Sequence, residues 1–308
     1  MYRSSFIKVI CYKGLLALLV VSTLSLHAQT NRAITEAEEQ LKELFDMMIS
    51  SDDDEVRINS GVNFSALFHQ TLTLDGSFKH PFSLLSNLSK LTSSDEKLRI
   101  FTWNLPLHSG MNRFYGLIQI NSTETDPLIV VDLMDQGDKI ANPEAEILFP
   151  EMWYGAIYYK LITLQTVYDQ VFYTLLGWRG ENMLMTSRLI DILTISSAGE
   201  ISFGKTVFCD YAESKPTRIL FRHSANVTMS LRYEEQSVAT NKKWHARRKE
   251  FSYKREKAWL IVCDRLVPAN PQLEGQYEYY IPAGDVMDGF IFKEGCWNFI
   301  KQIDARNP

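Results

Sequence analysis

From Ala156 onward the chain is a succession of short runs rich in β-branched and aromatic residues, with turn signals between them and no amphipathic helix. The runs are Ala156 to Leu164, Gln170 to Leu176, Ile190 to Ser196, Arg218 to His223, Val227 to Tyr233, Trp259 to Asp264, Gln276 to Ile281 and Phe290 to Lys293. Gly177-Trp178-Arg179-Gly180, Ala198-Gly199-Glu200, Pro268 to Pro271 and Lys293-Glu294-Gly295 read as turns between them. Parallel strands need long crossovers, so strands joined this closely pair antiparallel. The expected result is an up-and-down meander that closes or packs to hide its edges, barrel-like or sandwich-like.

The preceding part carries a different period. Ile34, Ala37, Leu41, Leu44, Phe45, Met48 and Ile49 recur at three- and four-residue steps and predict an amphipathic helix, with Thr35 and Glu38 spaced as a capping box. Ser51-Asp52-Asp53-Asp54-Glu55 ends it as a solvated loop; the alternating ligands and central glycine of a calcium loop are missing. Phe64, Leu67, Phe68 and Leu72 predict a second helix within Val62 to Leu74, and Phe82 to Leu91 a short third. Three strands follow, at Leu98 to Trp103, Tyr115 to Ile120 and Leu128 to Leu133. Lys139 to Glu151, with Pro143 and Pro150, reads as a linker. The class is mainly β (α+β), with a helical and small-sheet region over 29–145 and an antiparallel meander over 146–308.

Residues 1–28 have the layout of a secretory signal peptide. Arg3, Lys8 and Lys13 precede an apolar core from Gly14 to Leu26, and cleavage is expected after Ala28. That core is shorter than the ~20 residues of a bilayer-spanning helix, and no later segment is apolar enough to span. The expectation is export to the periplasm, the cell surface or the medium. Losing three basic residues takes the formal net charge from −5 to −8, which argues against a nucleic-acid partner. Cys209, Cys263 and Cys296 then remain, allowing one disulfide plus a free thiol, or none; buried inert thiols are the simplest reading. No Cys-x-x-Cys or His-x-His pattern suggests a metal, and no cofactor motif is present.

Three groups of residues bear on chemistry. Asp264, Asp285 and Asp288, with Glu294, Asp191 and Asp210, are the weak candidates for a hydrolytic carboxylate pair, although Asp285 to Gly289 reads equally as a turn. His223-Ser224 lies just past a strand, without a nucleophile elbow nearby. Lys242, Lys243, Trp244, Arg247, Arg248 and Lys249 form a basic, aromatic-bearing segment on an acidic protein. That combination is expected either to bind an anionic glycan or envelope component, or to serve as a solvated hairpin tip. The aromatic runs Trp153 to Tyr159 and Tyr277 to Tyr280 are candidates for a carbohydrate groove, with at least half of their rings expected in the core. The preferred reading is a non-enzymatic binding or envelope-associated module; the alternative is a secreted glycan-directed hydrolase.

Phe172 to Trp178, Arg218 to Phe221, Met229 to Tyr233, Glu274 to Tyr277, Asp288-Gly289 and Asp304 to Asn307 carry a resemblance. The chain resembles a family of uncharacterised secreted proteins of Bacteroidota, most specifically from Trp153 onward. The resemblance implies export and a β-rich fold and brings no established activity, cofactor or catalytic residue. Arg179 stands where that family reads an aspartate, so an acidic role there does not carry over, and Asn241 to Lys257 extends a connection that the family keeps short.

Overall fold

The structure, a computed structural model, describes residues 29–121, 128–165, 170–245, 247 and 250–303. The expected signal peptide lies outside the described residues. Two compact units are formed: residues up to Leu88 with Leu117–Val131, and Ser89–Gly116 with Asp132 onward.

In the first unit, helix α1 spans residues 29–50 and buries Ile34, Leu41, Phe45 and Met48, the face its periodicity predicts; Ile49, expected on that face, is exposed. Because α1 starts before Thr35, that residue is no cap. Its hydroxyl donates to the Asn31 carbonyl (3.0 Å), and Glu38 instead accepts from the Leu84 amide at 2.7 Å and meets His80 at 2.6 Å. Ser51 to Asp53 form the expected loop, and the end of the acidic run, Asp54 and Glu55, opens a second helix, α2 (Asp54–Leu72). The Asp53 side chain accepts from the Glu55 amide (2.8 Å), and Asp54 and Glu55 lie at the positive end of the helix dipole. Arg57 Nε returns to the Met48 carbonyl of α1 (3.1 Å), satisfying a terminal acceptor. Asp53→Ala is expected to cost about 1 kcal/mol, read as a lower urea midpoint with unchanged slope. The predicted third helix is absent. Pro81 precedes it, Phe82 takes a left-handed φ of 48°, and the Leu84 amide is committed to Glu38. Phe82 packs edge-on against Phe68, 5.2 Å away, beside the Phe45–Phe64 pair.

The first sheet contains β1 (Ser89–Thr92), β2 (Leu98–Pro106), β3 (Asn112–Ile120) and β4 (Ile129–Met134), in that order. The last three are the predicted strands.

The second unit holds two further sheets. One contains β5 (Ile157–Gln165), β6 (Val171–Gly180), β7 (Met185–Ile195), β8 (Ile201–Phe203) and β10 (Ile219–Ser224), ordered β10-β7-β6-β5 with β8 beside β7. The other is ordered β11-β12-β13-β14-β9, with β9 (Phe208–Cys209), β11 (Leu231–His245), β12 (Glu250–Pro268), β13 (Tyr280–Lys293) and β14 (Cys296–Ile303). All of their pairings are antiparallel except β14 with β9. Ile162, Phe172, Leu176 and Ile190 of the β10-β7-β6-β5 sheet share one core with Ile261, Phe290 and Trp297 of the β11-β12-β13-β14-β9 sheet. The fold is therefore mainly β and sandwich-like, with no closed barrel among the described residues.

Gly177 to Gly180 is strand and not turn; the reversal comes after it, at Glu181 to Leu184. A side chain at Gly177 would meet the ring of Tyr158 at 2.9 Å, so this glycine serves close packing rather than chain reversal. Arg179 is buried as well. It pairs with Asp135 (2.9 Å) and Glu181 (3.0 Å), donates to the carbonyls of Tyr154 and Gly155, and lies about 5 Å from the Phe114 and Tyr154 rings.

The proline-bearing segment 139–151 lies along the sandwich, held by Arg218. Fully buried, Arg218 donates through Nε to Asp191 (3.0 Å) and through Nη1 to the carbonyls of Pro143 and Glu146. Asp191, equally buried, also accepts from the Tyr158 hydroxyl (3.0 Å), which in turn accepts from Trp153 Nε1 (3.0 Å). The Thr217 amide donates a hydrogen bond to the Glu144 carbonyl at 2.7 Å.

Candidate functional site

Segment 139–151, held in this way, brings Glu144 to a cavity of about 320 Å³ in the second unit. Arg222 of β10, Asp264 and Arg265 of β12, Tyr277 just before β13, and Tyr280 and Asp288 of β13 face it. A regular strand sends successive side chains to opposite faces, yet Cys263, Asp264, Arg265 and Leu266 all line this one cavity. The reason is a bulge: the β12–β13 register shifts between Asp264 and Leu266. A second shift, between Met287 and Gly289 in the β13–β14 pairing, falls at Asp288. Asp285 to Gly289 is thus a bulged strand, not a turn.

The polar groups are largely held in place. Arg265 grips Asp288 bidentately, with Nε to Oδ2 at 2.9 Å and Nη2 to Oδ1, and the Gln302 amide donates to the same Oδ1 at 2.7 Å. Glu144 accepts from the Leu220 amide (3.1 Å) and from Arg222 Nη1 (3.2 Å). Asp264 Oδ2 accepts from the Ser230 amide at 2.8 Å. Among the described residues no donor reaches Asp264 Oδ1 and no acceptor reaches Arg222 Nε or Nη2. The Arg222 guanidinium lies 5.7 Å from the centre of the exposed Tyr277 ring, which meets Tyr280 at 5.1 Å. Tyr280 Oη accepts from the Gly275 amide (3.1 Å), fixing that turn. At the inner wall burial pushes the Cys263 thiol and the Tyr211 phenol well up, keeping both neutral.

The structure thus brings Asp264 and Asp288 to one cavity and leaves Asp285 exposed outside its lining. The other carboxylates do not join them: Asp191 is sealed in the Arg218 pair, and Asp210 and Glu294 are exposed at positive φ (60° and 53°). Of the aromatic runs, Tyr277 and Tyr280 reach the cavity, whereas Trp153, Tyr154 and Tyr158 are core. Glu144, Tyr211, Arg222 and Arg265 were not singled out in the sequence. Only Arg222, next to His223 on a predicted strand, carried a signal that was available there.

No family model, curated protein or solved structure matches this chain. The site's own chemistry therefore carries the functional argument.

Cys209 and Cys296 form a disulfide that bridges β9 and β14, with Cα atoms 6.1 Å apart, and Cys263 is the free thiol among the described residues. The inert-thiol reading holds for Cys263 alone. His223 is buried; its Nδ1 donates to the Ser224 carbonyl (2.9 Å), and Nε2 has no partner among the described residues. No serine–histidine pair is formed among the described residues. Burial lowers the His223 pKa, reinforced by Arg188 and opposed by the Ser224 carbonyl and Asp264. The folded chain therefore keeps this ring neutral, whereas the unfolded chain protonates near pH ~6.5. Its stabilising contribution is complete above that pH and falls as the pH drops below it. Thermal melts at pH 7.5 and 5.5 should show a smaller acid loss for His223→Gln than for the parent protein.

The basic segment lies at the end of a two-stranded ribbon. β11 and β12 pair from Leu231↔Cys263 to His245↔Glu250, whereas β12 pairs with β13 only from Leu260 onward. Lys243 stands opposite Ser252 and Trp244 opposite Phe251, Lys242 precedes them at a register shift, and Arg247 is exposed in the turn. Arg248 and Lys249 lie outside the described residues.

Proposed function

We propose that this protein is an exported, non-enzymatic binding module whose ligand site is the cavity around Arg222, Asp264 and Tyr277. The observation that carries this reading is the state of its carboxylates. A glycosidase needs one carboxyl with a raised pKa as acid and a second free to attack or to activate water. Here both Asp288 oxygens are engaged by Arg265, with Gln302 on one of them, and the two Glu144 oxygens by the Leu220 amide and Arg222, which leaves neither carboxylate an unengaged oxygen to attack or to activate water. Export is supported by the signal-peptide layout and by the disulfide, a bond that persists in oxidising compartments.

The ribbon supports a second contact, with an anionic glycan or envelope component. β11 and β12 stay paired with each other beyond the point where β12 leaves β13, and Lys242 and Lys243 fall at that far end of the pairing. A glycan and lipid array on residues 29–308 tests both sites. Tyr277→Ala should weaken the cavity-dependent signal about tenfold, and serine at Lys242, Lys243, Arg247, Arg248 and Lys249 should remove only a salt-sensitive component. Release of new reducing ends from an array hit, lost in Asp264→Asn, would establish the hydrolase instead.

A further inference from the structure

Resting on that reading of the cavity, we infer that its ligand is a neutral saccharide of one or two rings. Three carboxylates, Glu144, Asp264 and Asp288, face two guanidiniums, and each guanidinium is already paired with one of those carboxylates. An incoming phosphate, sulfate or carboxylate finds no uncompensated cation there and meets Asp264 as a like charge. The hydrogen-bonding capacity left open is mixed: Arg222 Nε and Nη2 donate, and Asp264 Oδ1 accepts. A hydroxyl is both donor and acceptor, so vicinal hydroxyls can satisfy both sides at once.

The apolar part of the site points the same way. Tyr277 offers an exposed ring, braced by Tyr280 and flanked by Arg222. A flat ring beside fixed polar groups suits a pyranose, which presents C–H faces and hydroxyl edges. The cavity, about 320 Å³, is at the lower end of the ~300–1,000 Å³ typical of ligand pockets, which limits a sugar ligand to one or two rings.

The test uses residues 29–308 labelled with 3-fluorotyrosine, with the Tyr277 and Tyr280 fluorine signals assigned by single Phe substitutions. Neutral mono- and disaccharides of glucose, galactose and N-acetylglucosamine are titrated beside uronate and sulfated sugars and a medium-chain fatty acid. The expected result is saturable movement of both signals with a neutral sugar, unchanged by salt. Affinity should weaken about tenfold in Asp264→Asn and in Tyr277→Ala, the second an exposed position that spares the fold. Movement by the acidic sugars or the fatty acid alone overturns the ligand class and leaves the site standing. No movement with any probe overturns the site as well.

Discussion

Replacing Arg218 with Ala is expected to lower the unfolding free energy by about 3–5 kcal/mol, the range for removing one partner of a buried ion pair. Arg218 and Asp191 are both fully buried. The substitution leaves the Asp191 carboxylate in the core with only the Tyr158 hydroxyl and a backbone amide, and it strips donors from the Pro143 and Glu146 carbonyls. Thermal denaturation should show a midpoint lower by roughly 10 °C, and limited proteolysis should cut first within 139–151. Arg218→Lys keeps the charge without the fork and should fall between the two. A parent-like midpoint together with parent-like protease resistance would show that Arg218 does not hold the segment. Because Glu144 rides on that segment, Arg218→Ala should also weaken ligand binding at the cavity, although the substituted residue lies outside its lining.

The second large effect is expected from the disulfide. The bridge joins residues 87 apart in sequence, and closing a loop of that length is worth about 4–5 kcal/mol in the chain-entropy treatment. Reductant, or Cys209→Ser with Cys296→Ser, should lower the thermal midpoint of residues 29–308 and release β9 from its short parallel pairing with Trp297 and Asn298. Thiol titration of the oxidised protein in denaturant should find one free group, Cys263. Three free groups would show that the bridge does not form. The two effects should be nearly additive if the bridge and the ion pair share no partner.

The helix face of Ile34, Leu41, Phe45 and Met48 and most strands were readable because burial imposes a period on the chain, and periods are local. The misreadings share one cause: a residue type was taken for its usual local role while a distant partner set another. Gly177 resembles a turn residue until the Tyr158 ring is packed against it. Glu38 resembles a capping residue until the Leu84 amide reaches it. Pro143 and Pro150 mark a linker only while the donors of Arg218, 75 residues from Pro143, stay out of view.

Sequence determined the α+β class, the antiparallel sense of every strand pairing but β14 with β9, and the basic character of the β11–β12 tip, since each follows from pattern and charge within short windows. Tertiary structure alone decided that the sheets stack as a sandwich, that Cys209 rather than Cys263 reaches Cys296, and that Asp264 shares a cavity with Glu144 and Arg222. Strand bulges and a buried arginine set those distances, and they act through contacts between residues that composition and spacing cannot relate.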